Sequence, residues 1–275
     1  MTKYDLIHIT KEFTASYSHT PLTAEMQALL GTEDMCFFDE PLVGFGSADD
    51  RLFEQLKAPE AVGPQFIPPK EWLENAKSVI SIFIPYSEAV KKANNTYPKA
   101  EIAPHYVHAK NYTVPFINKL VEKLCLEINK KGYNTVVPSS ETARLKSAMA
   151  VFEGRKSYTS PWSERHIAYI CGLGSFGIHK GIITEKGALG RFISIVTDMP
   201  LEADERQYSE LYEYCTLCGA CGRKCPADAI TTAEGKDKVK CSVFVDSTKA
   251  KYAPLYGCAK CMCGVPCANG RPKKR

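Results

Sequence analysis

The chain has 275 residues, 44% of them hydrophobic, a formal net charge of +4 and twelve cysteines. That length suits one substantial domain with a smaller one beside it, and the apolar share excludes a disordered chain. The opening MTKYDLIHITKEF lacks the basic start and unbroken apolar run of a secretory signal, and no stretch nears the ~18 consecutive apolar residues of a membrane span.

Along the chain, strand and helix signals alternate over residues 1–205, which predicts an α+β layered domain. Residues 78–85, SVISIFIP, form a β-branched run closed by proline and predict a buried strand. Residues 113–131 predict a helix: Phe116, Leu120, Leu124 and Ile128 recur every four positions, Ile117 and Val121 lie beside them, and Gly132 marks the stop. A strand is expected over 133–138, a second helix over 141–152 and a last strand over 191–198. The polar, proline-bearing stretch 199–208 reads as a linker to a second unit over residues 206–275.

Between them lies Gly172-Leu-Gly174-Ser-Phe-Gly177, a match to G-x-G-x-x-G. A dinucleotide site needs a strand before these glycines and a helix directly after them. Residues 167–171 offer the strand. The following IHKGIITEKGALG has three further glycines and no amphipathic period, so it is a poor helix. The alternative is a close approach of backbone to a large flat cofactor, which glycine permits.

The densest pattern comes last. Cys215-x2-Cys218-x2-Cys221-x3-Cys225-Pro226 is followed by a lone Cys241, then Cys258-x2-Cys261 and Cys267. This is the form of a ferredoxin-type module with two 4Fe–4S clusters, in which the cysteine before the proline serves the other cluster. By that rule Cys215, Cys218, Cys221 and Cys267 hold one cluster, and Cys225, Cys241, Cys258 and Cys261 the second. Cys263 is read as a spare. Closed zinc sites also take four thiolates, but the dense run suits clusters better. The short helical turn expected after Cys225 places Ile230 on its inner side. Cys36, Cys125 and Cys171 read as small buried thiols. Cysteines in metal spacing rather than in a disulfide framework point to a reducing compartment, the cytoplasm. The basic end Arg271-Pro-Lys-Lys-Arg275 reads as a solvated terminus.

The run from Pro161 to Thr184, which contains the glycine loop, the TDMPL after the last strand, and the cysteine module together resemble the epoxyqueuosine reductase family. These are cobalamin-dependent, two-cluster iron–sulfur reductases related to reductive dehalogenases. The likeness extends from about Pro41 to Cys267, and PLVGFGSADD and EWLENAKSVI look like the N-terminal part of shorter paralogues. It implies a nitroreductase-like α/β domain holding a corrinoid, with the ferredoxin-type domain packed on it. Gly172, Gly174, Phe176, Gly177 and His179 match the loop that lies along the corrinoid. Tyr106 and Lys110 fall in a segment similar to a family pocket segment, and Tyr106 and His108 are the candidate proton donors.

Two departures stand out. The family's acid is an aspartate after the post-helix strand, and the matching place here reads Val137-Pro138-Ser139. The chain also stops soon after the cysteines, without the helical-repeat extension that helps many members bind tRNA, so a small-molecule substrate is expected over tRNA. The leading expectation is a cytoplasmic cobalamin-dependent reductase fed by an external low-potential donor of ferredoxin or flavodoxin type. The alternative is a corrinoid-free electron-transfer protein acting with a partner. A third is a true epoxyqueuosine reductase with a different acid.

Overall fold

A computed structural model describes residues 1–18, 22, 24–32, 35–141 and 160–273. A four-stranded antiparallel sheet organises the chain, in the order β1 (Leu42–Ser47), β2 (Ser78–Pro85), β6 (Gly190–Thr197), β3 (Thr135–Val136). Central β2 is buried at all eight positions, because both faces of the sheet are covered. Ile80, Ile82 and Ile84 point into a core shared with the helical side. Val79 points into the opposite core, with Trp72, Trp162 and Ile167. The period of two along a strand makes this division.

Helices α1 (Lys3–Ser18), α2 (Ala24–Leu30), α5 (Glu88–Thr96) and α6 (Pro104–Asn129) build the helical side. Short α3 (Arg51–Gln55) and α4 (Pro69–Trp72), with α7 (Glu164–Ile170), cover the opposite face. Helix α6 starts well before the expected residue 113. Its buried stripe continues back through Ala109, Val107 and Tyr106, and Pro104 sits at the first turn, where its missing N–H costs nothing. Pro115 lies inside α6, so a helix stop inferred from proline would have been misplaced by packing of this stripe.

The strand expected over 133–138 shrinks to two residues and runs into a 3-10 turn, Pro138–Ser140. The helix expected over 141–152 lies outside the described residues from 142 onward. Residues 167–170 are helical rather than a strand, and Cys171 caps that helix. The glycines therefore follow a helix and flank the first strand of the β4 (Gly174–Phe176) and β5 (Ile182–Thr184) hairpin, the reverse of a dinucleotide turn. Among the described residues no helix is long and apolar enough to cross a membrane.

Stretch 199–208 is tied to the sheet edge. The Asp204 carboxylate accepts from Lys3 Nζ at 2.8 Å and from the Phe45 N–H at 3.0 Å, and the Tyr208 hydroxyl donates to the Tyr169 carbonyl at 2.5 Å. Beyond it lie α8 (Ala220–Lys224), the small hairpin β7 (Ile230–Thr231) and β8 (Gly235–Lys236), α9 (Lys238–Ser247) and α10 (Lys249–Tyr252). The helical turn expected after Cys225 is a simple turn leading into β7, because the tight helix lies before Cys225 instead. Ile230 is buried against Cys221, Cys225 and Cys261.

Candidate cluster site and adjoining cavity

Each of the three tight C-x2-C loops contains one left-handed residue: Leu217 (φ 52°), Gly219 (φ 67°) and Ala259 (φ 57°). A left-handed residue turns the chain sharply, so the flanking sulfurs face one side. Leu217 and Ala259 carry a Cβ, which makes this conformation cost about 1–2 kcal/mol each. Strain of that kind persists where the surroundings over-determine it, commonly at functional sites.

Cys215, Cys218, Cys221 and Cys267 line one small cavity together with Ile178, Ile183 and Val265. Cys267 stands within electrostatic reach of Cys221, Cys215 and Cys218, and Cys258 within reach of Cys261, Cys241 and Cys225. Cys267 thus lies with the first run and Cys225 with the later cysteines, while Cys221 also stands within reach of Cys261. Burial pushes the thiols of Cys258 and Cys267 up to about 12 and that of Cys221 up to about 11. Thiolates here need strong positive charge beside them, which iron supplies. Among the described residues no three His, Cys, Asp or Glu side chains could hold a single metal ion. Cys218 is exposed, whereas Cys221, Cys225 and Cys261 are buried.

Cys263 points elsewhere. It is fully buried in the helical core, 3.6 Å from Asn94 Nδ2. The same Asn94 amide donates to the Cys258 carbonyl at 2.8 Å. Lys260, 2% exposed, donates to the carbonyls of Asn94 at 2.6 Å and Tyr97 at 2.8 Å. A buried cation on the last carbonyls of α5 satisfies groups that a helix end leaves unpaired. This contact docks the second cysteine half on the sheet domain.

A second, larger cavity of about 460 Å³ opens where the two parts meet. Phe176, Phe192, Met262 and Leu211 supply apolar surface, and Arg165, Arg191, Lys180, Lys236 and Lys238 surround it with positive charge. Arg165 is accessible to solvent, yet burial by the surrounding protein lowers its pKa. That combination is what an open recess produces. Burial, with Lys236 and Arg165 nearby, pushes His179 down to about 4. Burial does the same to His166, helped by Lys238 and Arg165. Both imidazoles are neutral at physiological pH.

Glu164 also lines this cavity, and the sequence reading missed it. It opens α7, and its carboxylate accepts from the Ser139 hydroxyl and, at 2.7 Å, from Ser194 Oγ. Ser194 in turn accepts from Trp162 Nε1 at 2.8 Å, which directs its proton to Glu164 Oε2. Burial outweighs these bonds and raises the Glu164 pKa above the usual carboxylate range. A lone acidic residue outside any motif carries no sequence signal; only its cavity position singles it out.

Of the glycine-loop residues, Phe176 and His179 reach the large cavity, while Gly172, Gly174 and Gly177 do not line it. A Cβ on Gly174 would stand 2.1 Å from the Ile183 carbonyl oxygen, so this glycine serves the hairpin crossing. Tyr106 and His108 also lie away from the cavity. Tyr106 is buried in the helical core, edge-on to Tyr86, because its stretch of sequence belongs to α6. Lys110 donates to the Tyr256 carbonyl at 2.8 Å and lies over that ring at 3.4 Å, bracing the loop before Cys258. Cys36 and Cys125 are half-buried and Cys171 is buried.

Residues 211–231 match the 4Fe-4S binding domain family. An epoxyqueuosine reductase from Leadbetterella byssophila is 27% identical over 207 residues, covering 70% of this chain. The chain spans 59% of that relative's length. A crystal structure of a selenomethionine-labelled epoxyqueuosine reductase aligns over 98% of this chain and 67% of its own, with 19% identity and a TM-score of 0.52. A catabolic reductive dehalogenase in complex with 3-bromo-4-hydroxybenzoic acid aligns over 97% of this chain and 36% of its own, with 14% identity and a TM-score of 0.55. The chain is thus similar in sequence to epoxyqueuosine reductases, shares its fold with them and with a reductive dehalogenase, and carries a 4Fe-4S binding segment.

Proposed function

We propose that the chain is an iron–sulfur reductase in which two 4Fe–4S clusters, held by the two cysteine groups, feed a cobalamin-type cofactor in the large cavity. Residues 206–275 form the cluster unit and residues 1–205 hold the cofactor. The observation that carries this reading is the shared wall. His179, beside Cys267, and Lys236, within electrostatic reach of Cys261 and Cys241, both line the cavity, as does Met262 next to Cys261.

The residues fit both groups. Two sets of four convergent thiols suit cubane clusters. The cavity falls in the range of about 300–1,000 Å³ typical of small-molecule sites, and its open mouth leaves room for a cofactor that protrudes. Phe176 and Phe192 offer flat apolar surface, and the surrounding Arg165, Arg191 and Lys238 offer donors to the amide carbonyls at a corrinoid's rim. When bound, the corrinoid supplies low-potential reducing chemistry, while the protein supplies position and electrostatics.

Glu164 takes the place of the missing aspartate. Ser139, at the matching position, donates its hydroxyl to Glu164 Oε1, so an acid from α7 reaches the spot from another element. Protonated, Glu164 is the general-acid candidate at the cavity wall, its carboxyl held in place by the Ser139 and Ser194 hydroxyls. The external donor docks beside exposed Cys218 and Leu217, the latter 53% exposed. A small-molecule substrate and a cytoplasmic setting, which keeps free thiols reduced, complete the reading.

Anaerobic reconstitution with iron and sulfide, then with cobalamin, tests the reading. Broad absorbance near ~400 nm is expected from the clusters, with sharp corrinoid bands retained through gel filtration. Cluster absorbance without retained corrinoid would leave an electron-transfer protein and sink the reductase.

A further inference from the structure

Among the described residues, His179 alone lines both the small cysteine cavity and the large one. It is 3% exposed, and its setting is closely built. The turn that carries it closes on itself: the Gly177 N–H donates to the Gly181 carbonyl at 2.9 Å, and the Lys180 N–H donates to the Gly177 carbonyl at 2.8 Å. Lys180 adopts φ 60° to complete it. A Cβ on Gly177 would stand 2.7 Å from His179 Nε2, and one on Gly181 would stand 3.0 Å from Nδ1. Two of the loop's glycines therefore make room for the imidazole rather than for a ligand.

The ring's tautomer follows from its contacts. The Gly181 N–H donates to Nδ1 at 3.0 Å, so Nδ1 carries no proton and the ring proton sits on Nε2. Nε2 lies 3.5 Å from Cys267 Sγ. An N–H directed at a cluster sulfur stabilises the more negative, reduced cluster and raises its potential.

We propose that His179 is a positioning residue: its Nε2–H holds the Cys267 sulfur, sets the potential of the cluster on Cys215, Cys218, Cys221 and Cys267, and forms the wall through which that cluster meets the cavity. This rests on the reading of Cys267 as a cluster ligand. The second cysteine group has no such imidazole contact among the described residues, so the effect is confined to one cluster.

The test is an EPR-monitored redox titration of the anaerobically reconstituted full chain. His179→Leu moves the midpoint of one cluster to more negative potential and leaves the other in place. His179→Gln, which keeps a donor at similar reach, restores most of the wild-type value. Gly181→Ala keeps the imidazole but presses a methyl against it, and gives a negative shift of the same cluster even where the leucine variant fails to assemble. Unmoved potentials in His179→Leu, or equal shifts in the leucine and glutamine variants, overturn the inference alone. A wild-type chain without a cluster on the Cys267 group overturns the ligand reading with it.

Discussion

The two cysteine groups face one cavity through chemically different residues. The first meets it through a neutral imidazole N–H and keeps an exposed cysteine, Cys218, at the surface. The second meets it through a cation: burial lowers the Lys236 pKa, but nearby Cys261 and Cys241 raise it further. A cation beside a cluster stabilises the reduced state more than a single dipole does. The difference gives a direction. On the proposed two-cluster reading, electrons entering at the exposed first group would find a more oxidising second group beside the cavity.

Removing ligands gives the largest effect on this comparison. Cys267→Ala is expected to abolish the cluster on the first group only, and Cys225→Ala that on the second only, each losing about half of the iron and labile sulfide. Loss of both clusters from either substitution would break the division into two groups.

Glu164→Gln comes next. It should slow turnover about 10²–10⁴-fold, the usual weight of a general acid, while leaving both cluster potentials unchanged. Its folded pKa is raised, so the stability it contributes is complete below its unfolded pKa of about 4.3 and is lost as pH rises through the folded value. Thermal melts across this window should therefore fall with pH in the wild type more than in the glutamine variant. A variant that is less stable at neutral pH would assign Glu164 a structural role.

Lys236→Met sharpens the contrast directly. It should shift the second cluster's midpoint negative and narrow or reverse the gap between the two, as read by the same EPR titration. Lys260→Met has the smallest reach. It leaves the Asn94 and Tyr97 carbonyls without their donor, costing about 1–3 kcal/mol in chemical denaturation with little change in either potential.

The cysteine spacing was legible because ligands within a C-x2-C loop are placed by local backbone turns, and the strands at 78–85 and 190–197 because β-branched runs bounded by proline or glycine have one stable use. Helix α6 was half legible: its C-terminal stripe was regular, but its first turns, from Pro104, are held by packing against the sheet. The glycine loop was legible only as a close approach of backbone. Glycine spacing reports only that the backbone approaches something closely, and here the neighbours are the Ile183 carbonyl and the His179 ring.

Composition and local pattern by themselves thus determined an α+β chain with a cysteine module built for clusters. What surrounds the cysteines was decided by tertiary structure. Glu164, Arg165 and His166 on α7, Arg191 on β6, and Lys236 and Lys238 near the cysteines converge on one cavity, though no periodicity links them. A ligand loop is written within a few residues because its geometry is local. A cavity is written nowhere in particular, because it is the space left when distant elements pack.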